Sequence, residues 1–176
     1  MKDMIRKGKV WKFGDNVDTD QIYPGKYMHI HEPAEAAKHL MEGASVQFAQ
    51  KVKEGDFLIA GRNFGLGSIR GGIHLAFEHL KLGGIIAESF SRAFFRNCIS
   101  EGIPILECPE VTSKFSTGDI VEVNFSRGEI KNLTRNEVIR ANKLPNFIIE
   151  KIVSGGSIAL VKKLFSADLQ VGEKED

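Results

Sequence analysis

Thiols are scarce in this chain: Cys98 and Cys108 are the only cysteines among 176 residues. Two cysteines make no disulfide framework, and they fall short of the three or four thiolates that hold an iron–sulfur cluster. Any metal chemistry would have to come from another chain. Both read as ordinary buried thiols, Cys98 on a helix with Phe94 and Cys108 just after the apolar run IPILE (103–107). An excess of one charge is also missing. The 24 Lys and Arg against 23 Asp and Glu leave a formal +1, which gives no reason to expect a nucleic acid or an anionic membrane as partner. No apolar stretch approaches the ~20 residues that cross a bilayer. The opening MKDMIRKGKVWKFG has no apolar run of the kind a secretory leader carries. The expectation is a cytoplasmic protein.

What remains is a globular composition, 42% apolar and 27% charged. The length fits one domain, with no repeat and no clear linker, placed at residues 1–165. The tail SADLQVGEKED (166–176) is expected to fray. KVWKF (9–13), DFLIA (56–60), GGIIAES (83–89) and IPILE (103–107) read as strands. Helical spacing in PAEAAKHLME (33–42), GIHLAFEHLK (72–81) and FSRAFFRNCISEG (90–102) alternates with them. Such alternation predicts a parallel sheet with helices against it. Past residue 115 the pattern changes: DIVEVNF and GEIKNLT alternate around SRG as a hairpin does, and NEVIRANKLP adds a strand. Helices over PNFIIEKIVSG and SIALVKKLF follow. The fold class is α/β with an antiparallel addition.

Glycine is plentiful in one place. GRNFGLGSIRGG (61–72) sets five glycines around Ser68 and Arg70. A dinucleotide loop is one reading, since a strand precedes it, a helix follows, and Glu88 stands about 20 residues on. However, the third position of a G-x-G-x-x-G counted from Gly65 is Arg70, and Arg62, Asn63 and Phe64 lengthen the turn. No G-x-x-x-x-G-K-[ST] is present, which excludes a P-loop. A second reading makes Ser68 a base or nucleophile on an exposed loop at a helix start. Backbone N–H groups and the positive helix end there favour negative charge. Arg70 would offer its planar fork to a carboxylate. The plain alternative is a local cap or turn.

NFGLGSIR, with KVWKFGDNVDTDQIYPGKY upstream and IIAESFSRAFFRNCISEGIPIL downstream, resembles the small subunits of 3-isopropylmalate dehydratase in the aconitase family. The likeness spans about residues 8–165. It implies a swivelling β/β/α three-layer domain of the aconitase C-terminal type. It also implies a hydro-lyase, active only with a large subunit that carries a [4Fe–4S] cluster, none being bound by this chain. The implied reaction isomerises a hydroxy-diacid by dehydration and rehydration, most simply 2-isopropylmalate to 3-isopropylmalate in leucine biosynthesis. Homoaconitate-type acids and short alkyl-malates stay open as substrates. Ser68 then matches the general base. Arg70 and the N–H groups near Gly67 match the carboxylate grip, and Asp20 of the Asp-Thr-Asp motif lies closer to the active site than Asp18. The loop holding His29 and Ile30 matches the substrate-selecting wall.

The chain departs from the family string G-C-G-S-S-R-E-H. It has Ile69 for the second serine and Gly71-Gly72 for the Glu-His pair. Ile69 cannot donate a hydroxyl to a carboxylate, and the two glycines remove side-chain bracing. His74 is displaced along the helix from the missing histidine and reads as a surface or core-edge residue. In the wall, Ile30 suits an alkyl group, and His29 could meet a carboxylate when protonated. A nucleotide-binding module and a non-catalytic interaction subunit are the readings from other classes.

Overall fold

The computed structural model describes residues 3–172. In chain order the helices are α1 (Thr19–Ile22), α2 (Pro33–Ala37), α3 (Phe48–Lys51), α4 (Gly72–Leu80), α5 (Arg92–Ser100), α6 (Val111–Lys114), α7 (Asn146–Val153) and α8 (Ser157–Gly172). Four parallel strands, β1 (Ile5–Lys12), β2 (Phe57–Ala60), β3 (Gly84–Ala87) and β4 (Ile105–Glu107), pair in sequence order. On the other side of β1 the antiparallel strands β5 (Ile120–Asn124), β6 (Glu129–Asn132) and β7 (Glu137–Arg140) continue the sheet. Burial explains the two sequence patterns. β2 and β3 are buried along their whole length, so they are unbroken apolar runs. In β5 the buried Val121 and Val123 flank the half-exposed Glu122, as on a sheet covered on one face.

The parallel order advances in one direction, so right-handed crossovers all fall on one face. The opposite face is left to the antiparallel strands. β1 makes this possible by serving both halves: Ile5 to Lys9 pair with β5, and Val10 to Lys12 with β2. β4 and β7 stand at opposite ends of the strand order, yet the Asn142 N–H donates to Glu107 O at 2.9 Å. Phe125, just past β5, stacks on Phe57 of β2 with ring centroids 6.4 Å apart. The sheet therefore folds over itself and gives two β layers and one of helices.

Two helical expectations shift. The helix predicted over 33–42 ends at Ala37 and continues as turns. Met41 takes φ +60, and its N–H bonds Ile22 O at 2.6 Å, so docking against α1 wins over helical propensity. At the other end α8 runs on to Gly172, past Phe165 where the sequence pattern stops. Residues 173–176 of the tail lie outside the described residues.

Candidate active site

The Gly-rich loop leaves the carboxyl end of β2 and is held from both sides. On one side the Gly65 N–H donates to Val17 O (2.8 Å), and the Thr19 N–H to Leu66 O (2.7 Å). On the other, the Phe64 N–H bonds Ser89 O and the Ser91 N–H bonds Phe64 O, both at 3.0 Å. Ser91 caps α5 by accepting from the Phe94 N–H, and its hydroxyl donates to Gly65 O at 2.6 Å. Gly65 has φ +80, and a Cβ there would lie 2.2 Å from the Phe94 ring, so both backbone and packing require glycine.

Each residue of the Asp-Thr-Asp motif has its own place. Asp18 caps α1 in a capping box with Gln21. Thr19 is buried, its hydroxyl 2.8 Å from where a Cβ on Gly67 would stand; Gly67 has φ +98. Asp20 reaches outward. Its two carboxylate oxygens lie 2.9 and 3.0 Å from Arg70 Nη2, and one also accepts from the Gly25 N–H at 3.0 Å. The fold thus joins two site residues fifty positions apart.

Ser68 sits two residues before Arg70, exposed, and its hydroxyl makes no hydrogen bond among the described residues. The N–H groups of Gly67, Ser68, Ile69 and Arg70 likewise donate to no described acceptor. A run of free N–H groups beside a guanidinium can hold an anion, or stabilise negative charge on a serine oxygen. Arg70 has donors left over: Nη1 lies 3.8 Å from Met28 Sδ, and Nε is buried with no partner among the described residues. Of the expected wall, His29 is exposed and Ile30 packs half-buried against the core. The residue of that loop touching Arg70 is Met28, which the sequence did not single out.

The paired glycines also divide. Gly71 faces open space, whereas a Cβ on Gly72 would lie 2.3 Å from the ring of Tyr23, a fully buried residue. Tyr23 therefore fills the place where a side chain on residue 72 would stand. No sequence signal marks this, because the two residues belong to separate elements, Tyr23 at the end of α1 and Gly72 at the start of α4. We expect Gly72→Ala to destabilise the fold by about 1–3 kcal/mol through overpacking. That outweighs the helix-propensity gain, which is at most about 1 kcal/mol. Gly71→Ala should be neutral or slightly stabilising, and urea unfolding of both variants checks the contrast.

His74 lines a cavity of about 450 Å³ with Arg6, Lys81, Leu82 and Pro104. These residues precede or open the parallel strands, so this cavity lies at the ends opposite Ser68. Both cysteines are buried, as their sequence context suggested. Burial pushes the Cys98 thiol far up and that of Cys108 up to about 11. Neither should react with iodoacetamide at neutral pH until the chain is denatured, as intact-mass analysis would show. Among the described residues no group of three or more His, Cys, Asp or Glu is placed to hold a metal.

Residues 42–111 match the family model of the aconitase C-terminal domain. The chain is 46% identical over 159 residues to the isopropylmalate/citramalate isomerase small subunit of Methanocaldococcus jannaschii, covering 90% of this chain and 95% of that protein. It is 45% identical over 162 residues to a 3-isopropylmalate dehydratase small subunit of Thermodesulfovibrio yellowstonii, covering 92% and 96%. The chain belongs to the family of 3-isopropylmalate dehydratase small subunits. A crystal structure of 3-isopropylmalate dehydratase from M. jannaschii superposes on it with a TM-score of 0.89 at 38% identity, covering 95% of this chain and 99% of that one. The swivel-domain architecture implied by the motifs is thereby established, and the dinucleotide reading of the Gly-rich loop gives way to it.

Proposed function

We propose that this chain is the small subunit of a hydro-lyase that converts 2-isopropylmalate to 3-isopropylmalate in leucine biosynthesis. The observation that carries the chemistry is the free Ser68 hydroxyl among four unpaired N–H groups, two residues from the Arg70 fork. The constellation lies outside the carboxyl ends of the parallel strands, where α/β sheets bind ligands. Ser68 Oγ would take the proton from the carbon next to the one bearing the hydroxyl. The electrons of that C–H bond form the C=C bond as the hydroxyl leaves. Adding water back in the opposite sense moves the hydroxyl by one carbon. Arg70 and the loop N–H groups hold a carboxylate meanwhile, which fixes the reacting carbon against Ser68. An iron–sulfur cluster on the large subunit, which the family resemblance implies, would supply the Lewis acid for the leaving hydroxyl.

Further features support a two-subunit enzyme. Ser68, Ile69 and Leu66 are exposed, so a second protein is needed to exclude water from them. α8 also exposes Ile158, Val161, Leu164 and Phe165, a surface of the kind that marks association. Two free thiols suit a reducing cytoplasm. The M. jannaschii relative is named for citramalate as well as isopropylmalate, which favours alkyl-malates as further substrates. The test is anaerobic capture of the tagged chain from its own cells, with iron and sulfide assayed on the eluate and turnover on hydroxy-diacids. Co-purification of an iron–sulfur protein with isomerase activity is expected. Turnover by the chain alone, or a complex inert toward every hydroxy-diacid, overturns the reading.

A further inference from the structure

Arg70 is not placed by Asp20 alone, and the structure assigns Glu42 as a positioning residue for the substrate grip, acting through Tyr27. Glu42 follows α2 by five positions, at the end of the stretch PAEAAKHLME, and was not among the candidate site residues. Its carboxylate gathers three partners: Tyr27 Oη donates to Oε1 at 3.0 Å, Lys26 Nζ lies 3.3 Å from the same oxygen, and His39 Nδ1 lies 2.7 Å from Oε2. The hydrogen bond from His39 first, working against burial, and those from Tyr27 and Lys26 hold this carboxyl below the ordinary range. The Tyr27 ring stacks on His39 with centroids 3.6 Å apart, and Lys26 Nζ stands over the same ring, 4.6 Å from its centroid. Tyr23, packed on Gly72, reaches the same turn by donating from Oη to Tyr27 O at 3.3 Å.

This web clamps a single turn. Within it the Met28 N–H bonds Gly25 O and the Ile30 N–H bonds Tyr27 O. Both ends of the turn touch the Arg70–Asp20 pair, Gly25 through its N–H to Asp20 and Met28 through Sδ to Arg70 Nη1. Tyr27 and Met28 are adjacent, so holding the tyrosine holds the Met28 backbone from which the thioether reaches Arg70 Nη1. Glu42 thereby sets both the orientation of the guanidinium and the position of the apolar side chain beside it. In the reaction proposed above, on which this inference rests, those two groups would meet a substrate carboxylate and an alkyl branch. The expected consequence is a rise in KM and weaker discrimination between alkyl groups, with the proton-transfer step at Ser68 untouched.

The test compares Glu42→Gln and Tyr27→Phe in the reconstituted two-subunit enzyme, with Ser68→Ala as control. Losing one hydrogen bond of the clamp should raise KM for isopropylmalate about tenfold, with kcat within about twofold. Its kcat/KM ratio over a methyl-substituted malate should fall by a similar factor. The double variant should be no worse than the poorer single one, since both cut the same chain of contacts. Variants that keep the parent KM and the parent ratio overturn the inference, while a dead Ser68→Ala leaves the reaction assignment standing. Hydrogen exchange on the full isolated chain gives a readout independent of turnover. In Glu42→Gln the Gly25, Met28 and Ile30 amides should exchange about tenfold faster, with the midpoint of global unfolding nearly unchanged. Unchanged exchange at those three amides also overturns it.

Discussion

Replacing Ser68 by Ala should lower kcat by about 10²–10⁴-fold, the usual contribution of a positioned acid–base group. Folding and assembly with the large subunit should be intact. The structural reason is that Ser68 contributes nothing to the fold: it is exposed, and its hydroxyl bonds no described residue. The loop around it is fixed by others, with Gly65 and Thr19 bonded to Val17 and Leu66, and Phe64 bonded to Ser89 and Ser91. Steady-state turnover of the reconstituted complex, with circular dichroism and gel filtration beside it, separates the two effects. Near-normal turnover removes Ser68 from the reaction. Loss of assembly would mean that the side chain serves the interface instead.

Arg70→Lys should lower kcat/KM by about 100-fold while leaving thermal stability nearly unchanged. A hydrogen bond to a charged group contributes about 1.5–3 kcal/mol, and the upper end of that range corresponds to two decades in rate. Lysine keeps the charge but is a point donor, so it cannot hold Asp20 and present a planar fork to a substrate carboxylate together. Stability should be spared because Asp20 is 62% exposed on its side-chain surface, and an ion pair of that kind contributes at most about 1 kcal/mol. A lysine variant within threefold of the parent would show that charge alone suffices. Arg70 would then steer the substrate rather than grip it.

These expectations rest on residues the sequence made visible to different degrees. Ser68 and Arg70 stood out as candidates because the chemistry of a loop is local, whereas Asp20 came forward only through the family resemblance. Glycines that free the backbone, a hydroxyl and a guanidinium within three positions state what that loop can do before its surroundings are known. The parallel strands were legible for a similar reason, since FLIA and GIIA, buried on both faces, must be apolar throughout. The roles within the Asp-Thr-Asp motif were only half visible. Asp18 and Asp20 are the same residue type two positions apart, and only the direction of α1 makes one a cap and the other a partner of Arg70.

What tertiary structure alone decided is every contact between distant segments. Tyr23 on Gly72, Met28 on Arg70 and Glu42 on Tyr27 join positions whose spacing has no period and no motif. The fold of the sheet at β1, which brings Asn142 to Glu107, is of the same kind. The sequence by itself determined which groups this protein has for its chemistry and where its strands and longer helices form, though not where the helix begun at Pro33 ends. Those follow from covalent character and from local burial patterns. The tertiary structure decided which of those groups meet, because close approach depends on how distant segments fill shared space, and no single segment carries that information.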